Sequence, residues 1–199
     1  VGVDLHRIGS PPAGMQDGLP LVLWNQRWEH DKGPDEFVGL VEALVAQGLD
    51  FEVAVAGERF VSSPESFDRL PDLLGDRLVA FGFLPDDEYV DLLRRADIVV
   101  STAEHEFFGI AVVEAMAAGA LPVLPNRLVY PDRVPESLHD RCLYDNADGL
   151  TARVRWAIEN RVEASEIAGQ LAASVQHFDW SVVAPEYDQA LQTLVGRSS

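Results

Sequence analysis

Two glutamates, Glu106 and Glu114, stand eight positions apart in the stretch His105-Glu106-Phe107-Phe108-Gly109-Ile110-Ala111-Val112-Val113-Glu114-Ala115-Met116-Ala117-Ala118-Gly119. Gly109 is the only glycine between them. The spacing predicts a loop that becomes a helix and ends at Gly119, before an apolar strand. A helix N-terminus presents unpaired N–H groups and positive potential to an anion. A carboxylate just ahead of it and a second one turn inside can grip hydroxyls on either side of a bound diphosphate. Sugar, diphosphate and ribose in series, as in a nucleotide-sugar, have that shape.

Cations for such a diphosphate are available in Trp24-Asn25-Gln26-Arg27-Trp28-Glu29-His30-Asp31-Lys32-Gly33-Pro34, where Arg27 and Lys32 lie five apart. Arg offers a planar fork to phosphate oxygens and Lys a mobile point charge. The alternative for both is a local ion pair with Glu29 or Asp31. His105 can orient Glu106 or donate to a ligand. Phe107 and Phe108 either line a pocket or fill the core, with core favoured for Phe108. No other histidine carries a metal-ligand pattern: His6, His139 and His177 lack carboxylate or Cys partners at suitable spacing, and Glu29-His30-Asp31 is a weak string.

These residues need elements to hold them. The first twenty residues, rich in Gly, Pro and Asp, read as a linker. The apolar run 21–24 suits a buried parallel strand. Phe37, Leu40, Val41, Leu44 and Val45 repeat at helical spacing over 35–46, with Gly48 as a stop. Strands are expected at 51–56, 78–84, 98–100 and 121–124, with a short last one at 142–144. Helices are expected at 64–74, from an Asp86 cap to Arg95, through the Glu106–Glu114 motif, at 147–160 and 163–175, and from about Trp180. Alternating strands and helices predict an α/β fold, a Rossmann-like parallel sheet with helices on both faces. Ligands in such folds sit beyond the carboxyl ends of the strands. The candidate chemistry falls on those ends.

Composition narrows the classes. The net charge of −18 over 199 residues repels nucleic-acid backbones and anionic headgroups. No apolar run approaches the roughly 20 residues that span a bilayer, and the first residues do not read as a signal peptide. The single cysteine, Cys142, forms no internal disulfide, in keeping with a reducing, cytoplasmic setting. A G-x-G-x-x-G after the first strand, a P-loop and a G-x-S-x-G elbow are all missing. That argues against a dinucleotide oxidoreductase, a P-loop phosphotransferase and an α/β-hydrolase.

Taken together, Glu106-x7-Glu114, the following Ala115-Met116-Ala117-Ala118-Gly119-Ala120-Leu121-Pro122-Val123, and Arg27 with Lys32 resemble the donor-binding half of retaining GT-B glycosyltransferases of family four. Val1-Gly2-Val3-Asp4-Leu5 resembles that family's interdomain linker. Gly82-Phe83-Leu84-Pro85 and the run from Leu92-Leu93 to Ala96-Asp97 follow its usual order. A narrower resemblance, carried by residues 24–32, 101–109 and Leu128-Val129-Tyr130-Pro131, is to the tRNA-queuosine mannosyltransferase subgroup.

The resemblance implies a retaining glycosyl transfer from a nucleotide-sugar, GDP-mannose in the subgroup, to queuosine in tRNA. It implies that Arg27, Lys32 and Glu106 are catalytic. Asn25, His105, Phe107, Phe108, Gly109, Ile110 and Glu114 would bind the donor. Glu106 would take sugar hydroxyls, backbone N–H groups of 107–110 would face the sugar and diphosphate, and Glu114 would hold the ribose. It implies no metal and no cofactor besides the donor substrate. It divides the chain into an interdomain linker (1–20), a donor-binding domain (21–178) and a C-terminal helix (179–199) returning toward an N-terminal acceptor domain. Any tRNA would be met through that other domain, and no membrane is implied. Base selectivity would rest on the loops around Gly57 to Phe60 and Phe83. A sugar-nucleotide epimerase and a non-enzymatic nucleotide-sugar-binding domain remain as alternatives.

Overall fold

The computed structural model describes residues 1–11, 17–59 and 65–196, the last two as backbone only. Its strands are β1 (Leu21–Trp24), β2 (Glu52–Ala56), β3 (Leu78–Gly82), β4 (Ile98–Val100), β5 (Leu121–Pro125) and β6 (Leu143–Tyr144). The α-helices are α1 (Pro34–Ala46), α2 (Leu70–Leu74), α3 (Asp86–Arg95), α4 (Ile110–Ala117), α5 (His139–Cys142), α6 (Ala147–Glu159), α7 (Arg161–Ser174) and α8 (Trp180–Gly196). Every strand pairing is parallel, in the order β3-β2-β1-β4-β5-β6.

That order follows from the residues. β1, β4 and β5 are buried along their whole length, as strands covered on both faces must be. Parallel neighbours need crossovers, which the helices supply. α1 packs on α6 on one face, while α4 packs on α3 and α7 on the other. β1 leads outward through β2 to β3, whereas β4 returns to the opposite side of β1 and starts the other half of the sheet. The chain changes direction between β1 and β4, whose register aligns Val22 with Ile98 and Leu23 with Val99. A crevice opens at such a switch point, beyond the carboxyl ends of the two strands.

Three details differ from the sequence reading. α3 begins at Asp86 itself, with Pro85 at the cap and no side-chain cap bond, so Asp86, Asp87 and Glu88 complement the helix dipole rather than cap it. Cys142 closes α5 instead of opening β6. The expected 64–74 helix begins as a 3-10 turn, Glu65–Arg69, before α2, and its start at Ser63-Pro64 lies outside the described residues.

The first residues lie against the fold. Val3, Leu5 and Ile8 are buried in the main core. The backbone of Val3 receives an N–H from Trp180 at 3.0 Å and donates to Phe178 at 2.8 Å, joining both ends of the chain. The buried apolar positions of this segment are three among Gly, Pro and polar residues, too sparse to show a period. From Trp180 onward α8 leaves Trp180, Val182, Tyr187, Leu191 and Leu194 exposed.

Candidate functional site at the β1–β4 switch point

The loops after β1 and β4 are stitched together. Thr102 Oγ1 accepts a hydrogen bond from Trp24 Nε1 at 3.1 Å and donates to the Lys32 carbonyl at 2.7 Å. The N–H groups of Glu104 and His105 both donate to the Asp31 carbonyl, at 2.8 and 3.3 Å. Gly33 sits where they cross, at φ 64°. A Cβ there would fall 2.2 Å from the Thr102 carbonyl oxygen, so only glycine fits.

This contact delivers Lys32 to Glu106. The Lys32 side chain is 9% exposed. Its Nζ donates to the His105 carbonyl at 2.6 Å and approaches Glu106 Oε2 at 3.4 Å and Asp31 Oδ2 at 3.5 Å. Glu106 Oε1 accepts the N–H groups of Phe107, Phe108 and Gly109 at 3.0, 3.2 and 3.0 Å. Burial pushes the Glu106 carboxyl upward. The Phe108 N–H, the Lys32 ammonium and the N–H groups of Gly109 and Phe107 outweigh it, holding the carboxyl below its ordinary range. Glu106 is therefore an ionised carboxylate with one oxygen fixed by its own loop.

The resemblance implies that the amides of residues 107–110 face a donor; in this structure most of them are engaged within the loop. Three of the four N–H groups point at Glu106. Amides ahead of a helix seek an anion, and the nearest one is in their own loop. Gly109 ends the loop at φ 82°, a left-handed conformation that glycine adopts freely, and α4 starts at Ile110 with no side-chain cap.

Glu114, one turn into α4, is held from outside the motif. It is 8% exposed. Oε1 accepts Arg7 Nη2 at 2.6 Å, and Oε2 accepts the Tyr89 hydroxyl at 3.1 Å. Burial, followed by the charge of Glu114, drives the Tyr89 phenol far above its ordinary value, so it remains a donor. Asn25, 5% exposed, donates through Nδ2 to Tyr89 Oη at 3.0 Å and to the Ala111 carbonyl at 2.8 Å. Its Oδ1 has no partner among the described residues.

The other candidates stand apart. Arg27 is exposed and pairs with Glu29 at 3.1 Å, the local ion pair left open by the sequence. The His105 ring is exposed, and its contribution to the site is its carbonyl oxygen. Phe107 is 96% exposed and Ile110 45%. Phe108 is half-buried against Phe178, edge-on at 5.1 Å. Arg133 clamps this pair: its guanidinium lies 4.5 Å over Phe108 and 4.9 Å over Phe178, and Nε donates to the Phe108 carbonyl at 3.1 Å. In the loops expected to select the base, Phe83 is 72% exposed, while Phe60 lies outside the described residues.

Sequence reasoning missed Arg7, Tyr89 and Arg133. Arg7 lies in a segment read as linker, and Tyr89 is one residue of an ordinary amphipathic helix. Only Tyr130 had a signal, within Leu128-Val129-Tyr130-Pro131. It is buried, with its hydroxyl 2.6 Å from Ser101 Oγ, and burial raises its phenol to about 12. Among the described residues no three His, Cys, Asp or Glu side chains are grouped to hold a metal ion. No helix among them is long and apolar enough to cross a membrane.

With the geometry described, comparison with known proteins places the chain. A family model described as glycosyl transferases group 1 matches residues 11–174. The tRNA-queuosine alpha-mannosyltransferase of Drosophila melanogaster is 41% identical over 146 residues, covering 73% of this chain and 38% of that protein. The GDP-mannose:cellobiosyl-diphosphopolyprenol alpha-mannosyltransferase of Komagataeibacter xylinus is 31% identical over 165 residues, 80% of this chain and 42% of that protein. The chain thus spans less than half the length of these two relatives. Among solved structures, the sucrose-phosphate synthase of Thermosynechococcus elongatus superposes with a TM-score of 0.79 at 20% identity, over 98% of this chain and 52% of that one. That likeness concerns the fold: a Rossmann-like half of a GT-B architecture.

Proposed function

The chain belongs to the glycosyl transferases group 1 family, and from that premise we propose that it is the donor-binding half of a retaining glycosyltransferase that moves mannose from GDP-mannose to an acceptor. The observation that carries the reading is the pair of carboxylates at the β1–β4 crevice. One is ionised beside Lys32 and the other is fixed by Arg7 and Tyr89 eight residues later. Mannose as the sugar is supported by the names of the two mannosyltransferase relatives.

In this mechanism the bond from the sugar anomeric carbon to the β-phosphate oxygen breaks, and its electron pair goes to the diphosphate. The acceptor oxygen bonds to the same carbon on the same face and passes its proton to the departing diphosphate oxygen. Charge grows on the leaving oxygens, so fixed positive groups there stabilise the transition state more than the ground state. Lys32 is such a group, and Arg27, free of the core, swings from Glu29 to join it. These two cations do the work that a divalent ion does in other transferases. Glu106 Oε2 takes sugar hydroxyls while Oε1 stays on its loop, and Glu114 takes the ribose hydroxyls. Asn25 steadies the first turn of α4 through the Ala111 carbonyl.

The acceptor proposed is queuosine in tRNA. A surface of net charge −18 opposes a polyanion, so the tRNA is held by an N-terminal acceptor domain of the same protein, in the cytoplasm. By itself this chain binds donor and transfers little.

Calorimetric titration of the 199-residue chain with GDP-mannose, GDP, UDP-glucose and UDP tests the reading. We expect guanine nucleotides to bind at least tenfold more tightly, with affinity unchanged by EDTA. A uridine preference would remove the GDP-mannose assignment, and robust transfer by this chain alone would remove the division of labour.

A further inference from the structure

Glu114 is the one member of the site whose carboxylate is fixed by two elements outside the motif. Arg7 comes from the N-terminal segment, 107 positions away, and Tyr89 from α3, 25 positions away. Arg7 is itself placed by the burial of Leu5 and Ile8 on either side of it, and by the Leu5 N–H bonding Asp179 Oδ2 at 3.0 Å. Its other guanidinium nitrogen lies 3.8 Å from Asp86 at the start of α3, the helix that carries Tyr89. Asn25 completes the ring from the end of β1, donating to Tyr89. Two elements converge on one carboxylate and occupy one lone pair on each oxygen, and a third steadies one of the donors.

We propose that Arg7 is a positioning residue for nucleotide binding: with Tyr89 it holds Glu114 in one rotamer, so that the remaining lone pairs are aimed at the ribose hydroxyls. The inference rests on the ribose role given to Glu114 above and extends it to a residue outside the motif. Without Arg7, a carboxylate 8% exposed keeps only the neutral Tyr89 donor. It must then swing toward solvent, and that change spoils two-point acceptance from vicinal hydroxyls. The effect is confined to the ribose. A cation acting directly on the phosphates would instead weaken every diphosphate alike.

The test compares GDP and UDP with their 2′,3′-dideoxy counterparts, titrated against wild-type chain and the Arg7→Met, Arg7→Lys, Tyr89→Phe and Glu114→Gln variants. Wild type should prefer the ribonucleotide by about tenfold or more. Arg7→Met should reduce that ratio to within about twofold by weakening the ribonucleotide alone, and Arg7→Lys should restore part of it. Tyr89→Phe, which leaves the N-terminal anchor untouched, should lower the ratio by a few-fold and serves as the probe if Arg7→Met does not fold. Equal weakening of ribo and dideoxy ligands in Arg7→Met would overturn the positioning role. A ratio lost in Glu114→Gln but intact in Arg7→Met and Tyr89→Phe would overturn it while leaving the ribose reading of Glu114 standing. A ratio intact in Glu114→Gln would overturn both.

Discussion

Glu106 and Glu114 belong to one motif, yet they are held in opposite ways. Glu106 is fixed locally: three N–H groups from the next three residues meet one oxygen. Its one distant partner, Lys32, arrives on a loop pinned by Thr102 and Asp31. Glu114 takes both of its donors from remote elements. The local centre needs only its loop and the β1–β4 pairing. The remote centre needs the N-terminal segment and α3 in place as well. Two carboxylates of equal charge can therefore differ in how strongly their function depends on the rest of the fold.

Lys32→Ala should produce the largest change. It leaves Glu106 half-buried without its cation, so stability should fall by about 3 kcal/mol, read by urea denaturation. Turnover of the full-length enzyme should fall roughly 10²–10³-fold. The ribose discrimination proposed for Glu114 should survive. If that discrimination collapses as well, the two centres are one cooperative unit and the comparison fails.

Arg27→Ala should separate chemistry from stability. The Arg27–Glu29 pair is exposed, so its loss should change stability by less than about 0.5 kcal/mol. Turnover should drop about 10²-fold while donor affinity changes only a few-fold. Lost affinity with unchanged turnover would assign Arg27 to ground-state binding alone.

The smallest expected effect is a pH dependence. The Glu106 carboxyl titrates below its ordinary value of 4.5 in the folded chain. A group depressed on folding adds stability above its unfolded value and loses it as pH falls through the folded one. The stability gap between wild type and Glu106→Gln should thus be full near pH 7 and close below about pH 4.5. A gap that widens on acidification would mean that burial dominates at Glu106, not its donors.

Much of this site was legible because its signals are short-range. The strand-helix alternation, the helix start at Gly109-Ile110 and the placement of Arg27 and Lys32 after β1 follow from neighbours along the chain. Gly33 and Gly109 stand where tight loops need them. The direction of the loop amides is not legible, because spacing alone does not say which of several anions a helix start will accept. Glu106 was the nearest. Arg133 is silent in the sequence: a cation between Phe108 and Phe178 has no periodicity to reveal it.

By itself, then, the sequence determined the class of fold and the motif. These depend on residue type and local spacing. The tertiary structure decided that β1 and β4 are neighbours, that Lys32 is buried against Glu106 while Arg27 is not, and that a residue from an apparent linker holds Glu114. Those outcomes depend on which long-range contacts close around a shared core, and nearest-neighbour patterns carry no record of them.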